Sequence, residues 1–342
     1  MFQATFRLWD KLVATLVQEL KKKRPMKKTT LLWIGIIVFV VVAGITIVQN
    51  YYLISPTYYS TTPTPAHYSG VDKFGIKEIY PTITGGEEWF MNMNDPGSDP
   101  RIGGERPPTR FVQQNDDGSW KVQSTEVRYG ALTSSGYHPD LISTLDQQAL
   151  AAKGYMQSSN DWKNVEMTGY FKVNSFTDST NNGAAHIELV ARGGRNTNDI
   201  GTIDGLPRQC EATTYHSNTY VDGRVKFEKD LQHTIGYTTG DREKQHAISQ
   251  LLGRWVGIKA VFYNLPDGSV RLEQWIDENS NNNWHRVLRY TDSGDWGGGY
   301  PNCGGPDTQV ITWGGPIAIF RWDNIDDIDV KYFSIREIKP PK

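Results

Sequence analysis

Residues 184–192 read Ala-Ala-His-Ile-Glu-Leu-Val-Ala-Arg, and this stretch decides the fold class. Apolar and polar residues alternate along it, which predicts an extended strand rather than a helix. His186, Glu188 and Arg192 are expected on one face, and the apolar residues between them on the other. Alternate residues on one side of a strand lie about 7 Å apart. The polar face would therefore offer a base, an acid and a guanidinium in a row, which suits a polar polymer such as a polysaccharide or simply a solvated surface.

Similar alternating stretches recur on both sides of this one. They cover residues 164–173, 224–227, 254–263, 269–277, 284–290, 310–313, 316–322 and 328–338. Asn264-Leu265-Pro266-Asp267-Gly268 separates two of them and predicts a hairpin. A first strand is predicted over residues 75–81 and one short helix over residues 139–152. Many strands with little helix predict an all-β fold, a two-sheet antiparallel sandwich.

The N-terminal residues predict a membrane anchor outside this domain. Residues 1–28 hold eight Lys/Arg and two Asp/Glu, and residues 6–20 repeat apolar side chains at a helical period, which favours a basic amphipathic helix on the inner membrane surface. A small cytoplasmic helix that packs on a partner is the alternative. Residues 29–49 are uncharged and long enough to span the hydrocarbon core. Lysines flank only their N-terminal side, which predicts a cytoplasmic N-terminus and an extracellular main domain.

The remaining boundaries follow from composition. Residues 50–71 carry no Lys, Arg, Asp or Glu and are rich in Pro, Thr, Ser and Tyr, typical of an extended stalk. Residues 72–342 form the predicted extracytoplasmic domain. A cleaved signal peptide is the alternative to the anchor, but the apolar run is long for one and no small-x-small cleavage site ends it.

Charge and cysteine content narrow the class further. The whole chain has a formal net charge of -2, and because residues 1–28 carry +6, the rest carries -8. An acidic domain argues against nucleic-acid binding, which needs a basic surface. Cys210 and Cys303 are the only cysteines and both follow the predicted anchor, so we expect a disulfide between them.

Several stretches together resemble the concanavalin A-like lectin/glucanase jelly-roll superfamily. They are Trp162-Lys163-Asn164-Val165-Glu166-Met167-Thr168-Gly169-Tyr170-Phe171, the 184–192 strand, Gly253-Arg254-Trp255-Val256-Gly257-Ile258-Lys259, the hairpin into Glu273-Gln274-Trp275-Ile276-Asp277, and the closing 328–338 strand. The resemblance covers roughly residues 72–340. It implies a jelly roll with a concave sheet that holds a glycan, and it allows a calcium ion on the rim near the last strand.

A weaker similarity to jelly-roll polysaccharide lyases implies a catalytic alternative. In such enzymes an arginine neutralises a uronate carboxylate, while a histidine and a tyrosine take and return the proton. Here Arg192 would neutralise, a histidine would act as base and a tyrosine as acid, although His186 stands where the first arginine of those lyases would be. The candidate catalytic residues are His186, Glu188, Arg192, Tyr215, His216 and Tyr220. A glycoside hydrolase is less favoured, because Glu273 and Asp277 are too far apart along a strand for a retaining pair.

Two further groups complete the predicted site. Aromatic and polar residues on alternating positions are candidates for contacting a sugar: Tyr170, Lys172, Arg271, Glu273, Trp275 and Asp277, with Trp296 carried on a glycine-rich loop. An acidic turn before the last strand is the candidate calcium site, with Asp323, Asp326, Asp327 and Asp329 as ligands.

The sequence thus predicts a single-pass cell-surface protein whose jelly-roll domain binds a polysaccharide. A polysaccharide lyase that cleaves uronate-containing glycans by β-elimination is the first alternative. A structural surface protein without a sugar ligand is the second. The sugar, its linkage and the oligomeric state stay open.

Overall fold

The computed structural model describes residues 70–103, 111–134, 161–177, 185–193, 202–203, 206–207, 214–230, 242–244, 247–296 and 309–341. All of them belong to one compact unit, Ala66–Lys342. Among these residues there is no helix long and apolar enough to cross a membrane. Several predictions lie outside the described residues: the amphipathic segment, the span at residues 29–49, most of the stalk, the helix at residues 139–152 and both cysteines, Cys210 and Cys303.

Seventeen strands make up the described fold. In chain order they are β1 (Glu88–Phe90), β2 (Ile102–Gly103), β3 (Gln113–Gln114), β4 (Trp120–Val122), β5 (Glu126–Leu132), β6 (Val165–Phe176), β7 (His186–Gly193), β8 (Thr202–Ile203), β9 (Leu206–Pro207), β10 (Thr214–Tyr220), β11 (Val225–Asp230), β12 (Arg242–Lys244), β13 (Val256–Asn264), β14 (Val270–Asp277), β15 (His285–Asp292), β16 (Ile317–Asp323) and β17 (Ile325–Glu337).

Fifteen of these strands form two large antiparallel sheets, and β8 and β9 pair only with each other. Sheet A has eight strands in the order β15-β14-β13-β6-β17-β4-β3, with β1 also paired to β17. Sheet B has seven strands in the order β12-β11-β10-β7-β16-β5-β2. The chain crosses between the sheets several times, so β6 and β17 lie in sheet A, while β5, β7 and β16 lie in sheet B. The predicted all-β, two-sheet antiparallel sandwich is confirmed.

The core lies between the two sheets. Ile187 and Leu189 of β7 point into it and are fully buried, as their alternation with polar residues predicted. Across the gap, the rings of Phe320 in β16 and Phe333 in β17 stack with centroids 4.2 Å apart. Burying a large apolar side chain contributes about 1.5–3 kcal/mol, so this packing fixes which face of each strand turns outward.

Of two local predictions, the hairpin is confirmed and the first strand is not. The hairpin between β13 and β14 is confirmed, and its turn is closed by a hydrogen bond from Leu265 N to Ser269 O of 2.9 Å. Gly268 supplies the positive φ of 85° that this turn needs. The predicted first strand at residues 75–81 is wrong, because this segment makes only an isolated bridge between Val71 and Lys77.

Instead of pairing as a strand, residues 72–82 cover the outer face of sheet A. Ile76, Ile79 and Tyr80 pack there in a second apolar cluster with residues of β6, β13 and β14. The backbone N–H groups of Ile79 and Tyr80 donate to the carboxylate of Glu166 in β6 at 2.9 and 3.1 Å. Sheet A is therefore covered on both faces over this region.

Candidate functional site

The outward side of sheet B carries a dense polar cluster, here called the β7 face. Cross-strand pairing puts Arg321 of β16 beside Glu188 of β7, Glu188 beside Asn218 of β10, and Asn218 beside Lys226 of β11. Residues two positions along on these strands extend the cluster on the same side. Its members are Arg128, His186, Glu188, His216, Asn218, Tyr220, Lys226, Glu228, Arg321 and Asp323.

Glu188 is the centre of the β7 face. Its Oε1 lies 3.1 Å from His186 Nε2, and its Oε2 lies 3.3 Å from His216 Nδ1 and 3.0 Å from Arg321 NH1. Burial by itself would raise the pKa of Glu188, but Arg321 and the two histidines outweigh burial and hold the pKa well below its usual range. The carboxylate is thus ionised at neutral pH and fixes the orientation of two imidazoles.

A pair of arginines and an aspartate continue the network toward β5. Arg128 NH1 donates to Asp323 Oδ1 at 2.7 Å, and Arg321 Nε donates to Asp323 Oδ2 at 2.9 Å. Burial lowers the pKa of Arg128, the neighbouring Arg321 lowers it further, and Asp323 opposes both. Three charged side chains are held here in one arrangement with little freedom.

An aromatic pair borders the other side of the cluster. The rings of His186 and Tyr220 lie with centroids 5.1 Å apart, and the guanidinium of Arg224 lies 4.1 Å from the Tyr220 centroid. Burial raises the pKa of Tyr220, so its hydroxyl keeps its proton over the physiological range. The side chains of His186, Arg321, Lys226 and Glu228 remain 12–23% exposed, which leaves them within reach of a ligand.

The structure brings four of the six candidate catalytic residues together on the β7 face: His186, Glu188, His216 and Tyr220. Arg192 is not among them. A bulge in β7 sets Ala191 and Arg192 against the single residue Ala318 of β16, and Arg192 adopts a φ of 76°. An extra residue reverses the alternation that follows it, so Arg192 turns inward. The prediction that Arg192 lies on the same face as Glu188 is therefore wrong.

The inward guanidinium of Arg192 has a structural role. It donates to Asn264 Oδ1 at 2.7 Å, to Ile311 O at 2.8 Å and to Asn164 Oδ1 at 3.2 Å. Complete burial lowers the pKa of Arg192 to about 10. These contacts join the end of β7 to the flanks of sheet A.

Tyr215 also lies inside the sandwich. Odd-numbered residues of β10 face the core, because His216, Asn218 and Tyr220 face outward. The Tyr215 hydroxyl donates to Asp292 Oδ2 of β15 at 2.6 Å, and burial raises its pKa well above the usual range. Tyr215 therefore does not share a surface with His186 and His216, and its predicted place among the catalytic residues is wrong.

The predicted sugar-contacting residues of sheet A share one face, but that face is covered by residues 72–82. Glu273 accepts a hydrogen bond from Tyr80 at 3.1 Å and Trp275 is only 1% exposed. Tyr170 donates to Asp277 Oδ2 at 2.7 Å beneath the same cover. Lys172 and Arg271, the two remaining candidates on this face of sheet A, are half-buried.

Trp296 was expected on an exposed loop and instead packs in the core. It is 1% exposed and stacks on Tyr215 with centroids 6.1 Å apart. The large apolar area of the indole explains why Trp296 turns into the core.

The acidic turn does not gather its carboxylates as a calcium site would. Asp323 faces the arginines of sheet B, while Asp326 accepts a hydrogen bond from Thr177 at 2.9 Å. Asp327 and Asp329 lie in sheet A, where Lys121 Nζ approaches them to 2.8 and 3.1 Å. The four carboxylates therefore do not form the predicted calcium site. They are divided between the two sheets, and lysine or arginine side chains already pair with Asp323, Asp327 and Asp329.

Other residues could hold a metal. Two such groups occur in the part of the chain that the structure describes: His186, Glu188 and Asp323, and Glu188, His216 and Glu228. Both lie on the β7 face and share Glu188. Arg128, Arg321 and Glu228 were not among the predicted site residues, although their alternation with apolar residues in β5, β16 and β11 indicates that they face outward.

The low pKa of Glu188 makes a pH-dependent contribution to folding. A carboxyl whose pKa is lower in the folded than in the unfolded chain stabilises the fold above its ordinary pKa, here 4.5, and loses that contribution as the pH falls. We expect the difference in unfolding free energy between the wild type and Glu188→Gln to narrow below about pH 5, by at most about 1.4 kcal/mol per pH unit. Urea unfolding at a series of pH values measures this. Parallel profiles for the two proteins would contradict it, and the exposed Glu126→Gln variant serves as the control.

Comparison with known proteins gives structural matches only. No protein-family model matches the sequence, and no curated protein is significantly similar to it. A Bacillus subtilis protein of unknown function with a galectin-like fold is 11% identical, with a TM-score of 0.41, over 76% of this chain and 100% of that one. Winged bean acidic lectin complexed with methyl-α-D-galactose is 6% identical, with a TM-score of 0.37, over 74% and 99%. An endo-β-1,4-glucuronan lyase from Trichoderma reesei is 7% identical, with a TM-score of 0.30, over 70% and 88%.

The kinds of protein matched are those that the sequence resemblance predicted, namely lectin-like and lyase-like jelly rolls. Identities of 6–11% and TM-scores of at most 0.41 say nothing about what this chain binds.

Proposed function

We propose that this protein binds a polysaccharide on the β7 face of its jelly-roll domain. The observation that carries the proposal is the network around Glu188, where two histidines and an arginine converge on one buried carboxylate. Desolvating such a network is costly for the fold. Clusters of perturbed titratable groups of this kind concentrate at functional sites.

The charge balance of the β7 face favours a neutral glycan. Arg128, Arg321 and Lys226 each have a carboxylate partner, with Lys226 Nζ 2.7 Å from Glu228 Oε1. A uronate would have to displace Glu188 or Asp323 from Arg321, at the cost of leaving a carboxylate unpaired. Sugar hydroxyls both donate and accept hydrogen bonds, so they can join these pairs without separating them.

A glycan array probed with the full-length chain tests the proposal. We expect retention on one class of neutral polysaccharide and no turnover of it. His186→Ala, which removes an imidazole that is 12% exposed on the β7 face, should weaken retention, whereas Lys172→Ala on sheet A should not. Equal retention of both variants, or no retention of the wild type on any glycan, would count against the proposal.

A polysaccharide lyase is the second candidate, favoured by the contact between His186 and Tyr220. The two rings lie 5.1 Å apart beside Arg321, so a base, an acid and a cation stand on one surface. In this scheme a histidine takes the C5 proton of a uronate and Tyr220 donates one to the leaving oxygen. New ultraviolet absorbance from unsaturated chain ends would support lyase activity, and its loss in Tyr220→Phe would locate it.

The anchoring of the domain at the cell surface is part of the same proposal. Its support is the uncharged run at residues 29–49 with lysines on its N-terminal side alone. Protease treatment of intact cells would remove the main domain if it faces outward and leave it intact if it faces the cytoplasm.

A further inference from the structure

A second property of the β7 face goes beyond glycan binding and does not depend on it. Glu188, His216 and Glu228 each place one donor atom within 4.8 Å of the others. His216 and Glu228 are direct cross-strand partners, and Glu188 lies on the other side of β10. The 3.3 Å between His216 Nδ1 and Glu188 Oε2 matches the separation of about 3.3 Å expected for two ligands held tetrahedrally at the usual zinc distances.

An unpartnered acceptor lies next to these three residues. Asn218 is 1% exposed, and its Oδ1 has no hydrogen-bond partner. Asn218 stands opposite Glu188 and two residues from His216 on the same side of β10. Buried carbonyl oxygens rarely lack a partner, and an amide oxygen is a normal ligand for a divalent cation.

The neighbouring group of His186, Glu188 and Asp323 is less suited to a cation. Both oxygens of Asp323 are held by guanidinium groups, Oδ1 by Arg128 and Oδ2 by Arg321. In contrast, Glu228 pairs with Lys226, whose side chain is 13% exposed and has a flexible stem that can turn to solvent.

We propose that Glu188, His216 and Glu228, with Asn218 Oδ1 as the fourth donor, bind one divalent transition-metal ion. One imidazole and three oxygen donors at this spacing suit zinc better than calcium, which takes six to eight oxygens. Arg321 donates to Glu188 at 3.0 Å and would hold the ligating carboxylate in place.

Zinc titration of the full-length chain tests the site. The chain is first stripped with a chelator, and its zinc content and Tm are then measured as zinc chloride is added. We expect one zinc per chain at the β7 face and a higher Tm, with no such rise from calcium chloride at the same concentration. His216→Gln and Glu228→Gln should each bind this zinc at least about 100-fold more weakly. Lys226→Gln should bind it more tightly, because it removes the cation that competes for Glu228.

Two histidine variants provide matched controls. His285→Gln changes an exposed residue of β15 and should keep wild-type zinc affinity. His186→Gln removes a contact to Oε1 of Glu188 and should weaken zinc binding less than His216→Gln does. Because the side chain of Glu228 is 23% exposed, Glu228→Gln keeps the test decisive even where His216→Gln folds poorly. Unchanged zinc affinity in Glu228→Gln, or a loss confined to His186→Gln, would overturn the proposal. Glycan binding plays no part in this readout, so its failure would leave the zinc result standing.

Discussion

Lys229→Met is expected to destabilise the folded domain by about 3–5 kcal/mol. Lys229 of sheet B and Asp292 of sheet A are both fully buried, and Lys229 Nζ lies 2.8 Å from Asp292 Oδ2. Methionine fills most of the same volume but leaves the aspartate without its cation. An uncompensated buried charge is costly, and the hydroxyl of Tyr215 at 2.6 Å replaces only part of the lost interaction. Urea unfolding monitored by tryptophan fluorescence measures the change.

Lys226→Met is the matched control for that measurement. It lies on the same strand, but its partner Glu228 is 23% exposed. Surface ion pairs contribute about 0–1 kcal/mol, so this variant should stay close to wild type. Similar losses for the two lysine variants would show that the Lys229 pair has no special role between the sheets.

Glu166→Leu should have an effect of comparable size on the other side of the domain. The Glu166 carboxylate accepts from Lys259 at 2.7 Å and from Arg336 at 3.0 Å, and all three side chains are at most 1% exposed. Burial tends to raise the pKa of Glu166, but Lys259 and Arg336 lower it by more, so the group is a buried anion. Its removal leaves two buried cations poorly compensated, at a cost of about 3–5 kcal/mol.

The same substitution should loosen residues 72–82, because Ile79 and Tyr80 lose the acceptor of their N–H groups. Trypsin should then cleave after Lys73 and Lys77 faster than in the wild type, while the exposed Glu126→Gln variant should match the wild type in both stability and cleavage. Unchanged cleavage and unfolding in Glu166→Leu would contradict the view that this carboxylate holds the segment on sheet A.

Alternation was sufficient to predict the strands and their faces where the ladder is regular. Ile187 and Leu189 face the core, and His186 and Glu188 face outward, because a residue pattern of period two leaves only one way to bury the apolar set. The hairpin followed from a Pro-Asp-Gly turn. These features are set by local sequence.

Features set by distant contacts could not be predicted in this way. The bulge that turns Arg192 inward depends on its pairing with β16, and alternation alone gives no sign of it. Tyr215 and His216 are neighbours, so alternation puts them on opposite faces of β10, but which of the two faces the core follows only from the packing of that strand. The carboxylates of the acidic turn are separated because β16 and β17 pair in different sheets, which the sequence pattern does not show. Four of the ten residues of the β7 face were therefore predicted as candidate catalytic residues. Alternation could suggest that Arg321 and Glu228 face outward, but their place beside those four follows from the sheet order.

The central claim is that the outward side of sheet B, and not the covered side of sheet A, meets a glycan. Titration of the full-length chain with the polysaccharide that the array identifies tests this most directly. We expect Kd to rise at least about 10-fold in Tyr220→Ala, equivalent to about 1.4 kcal/mol of lost aromatic contact, and to stay at the wild-type value in Lys172→Ala. A wild-type Kd for Tyr220→Ala together with a weakened Lys172→Ala would contradict the account.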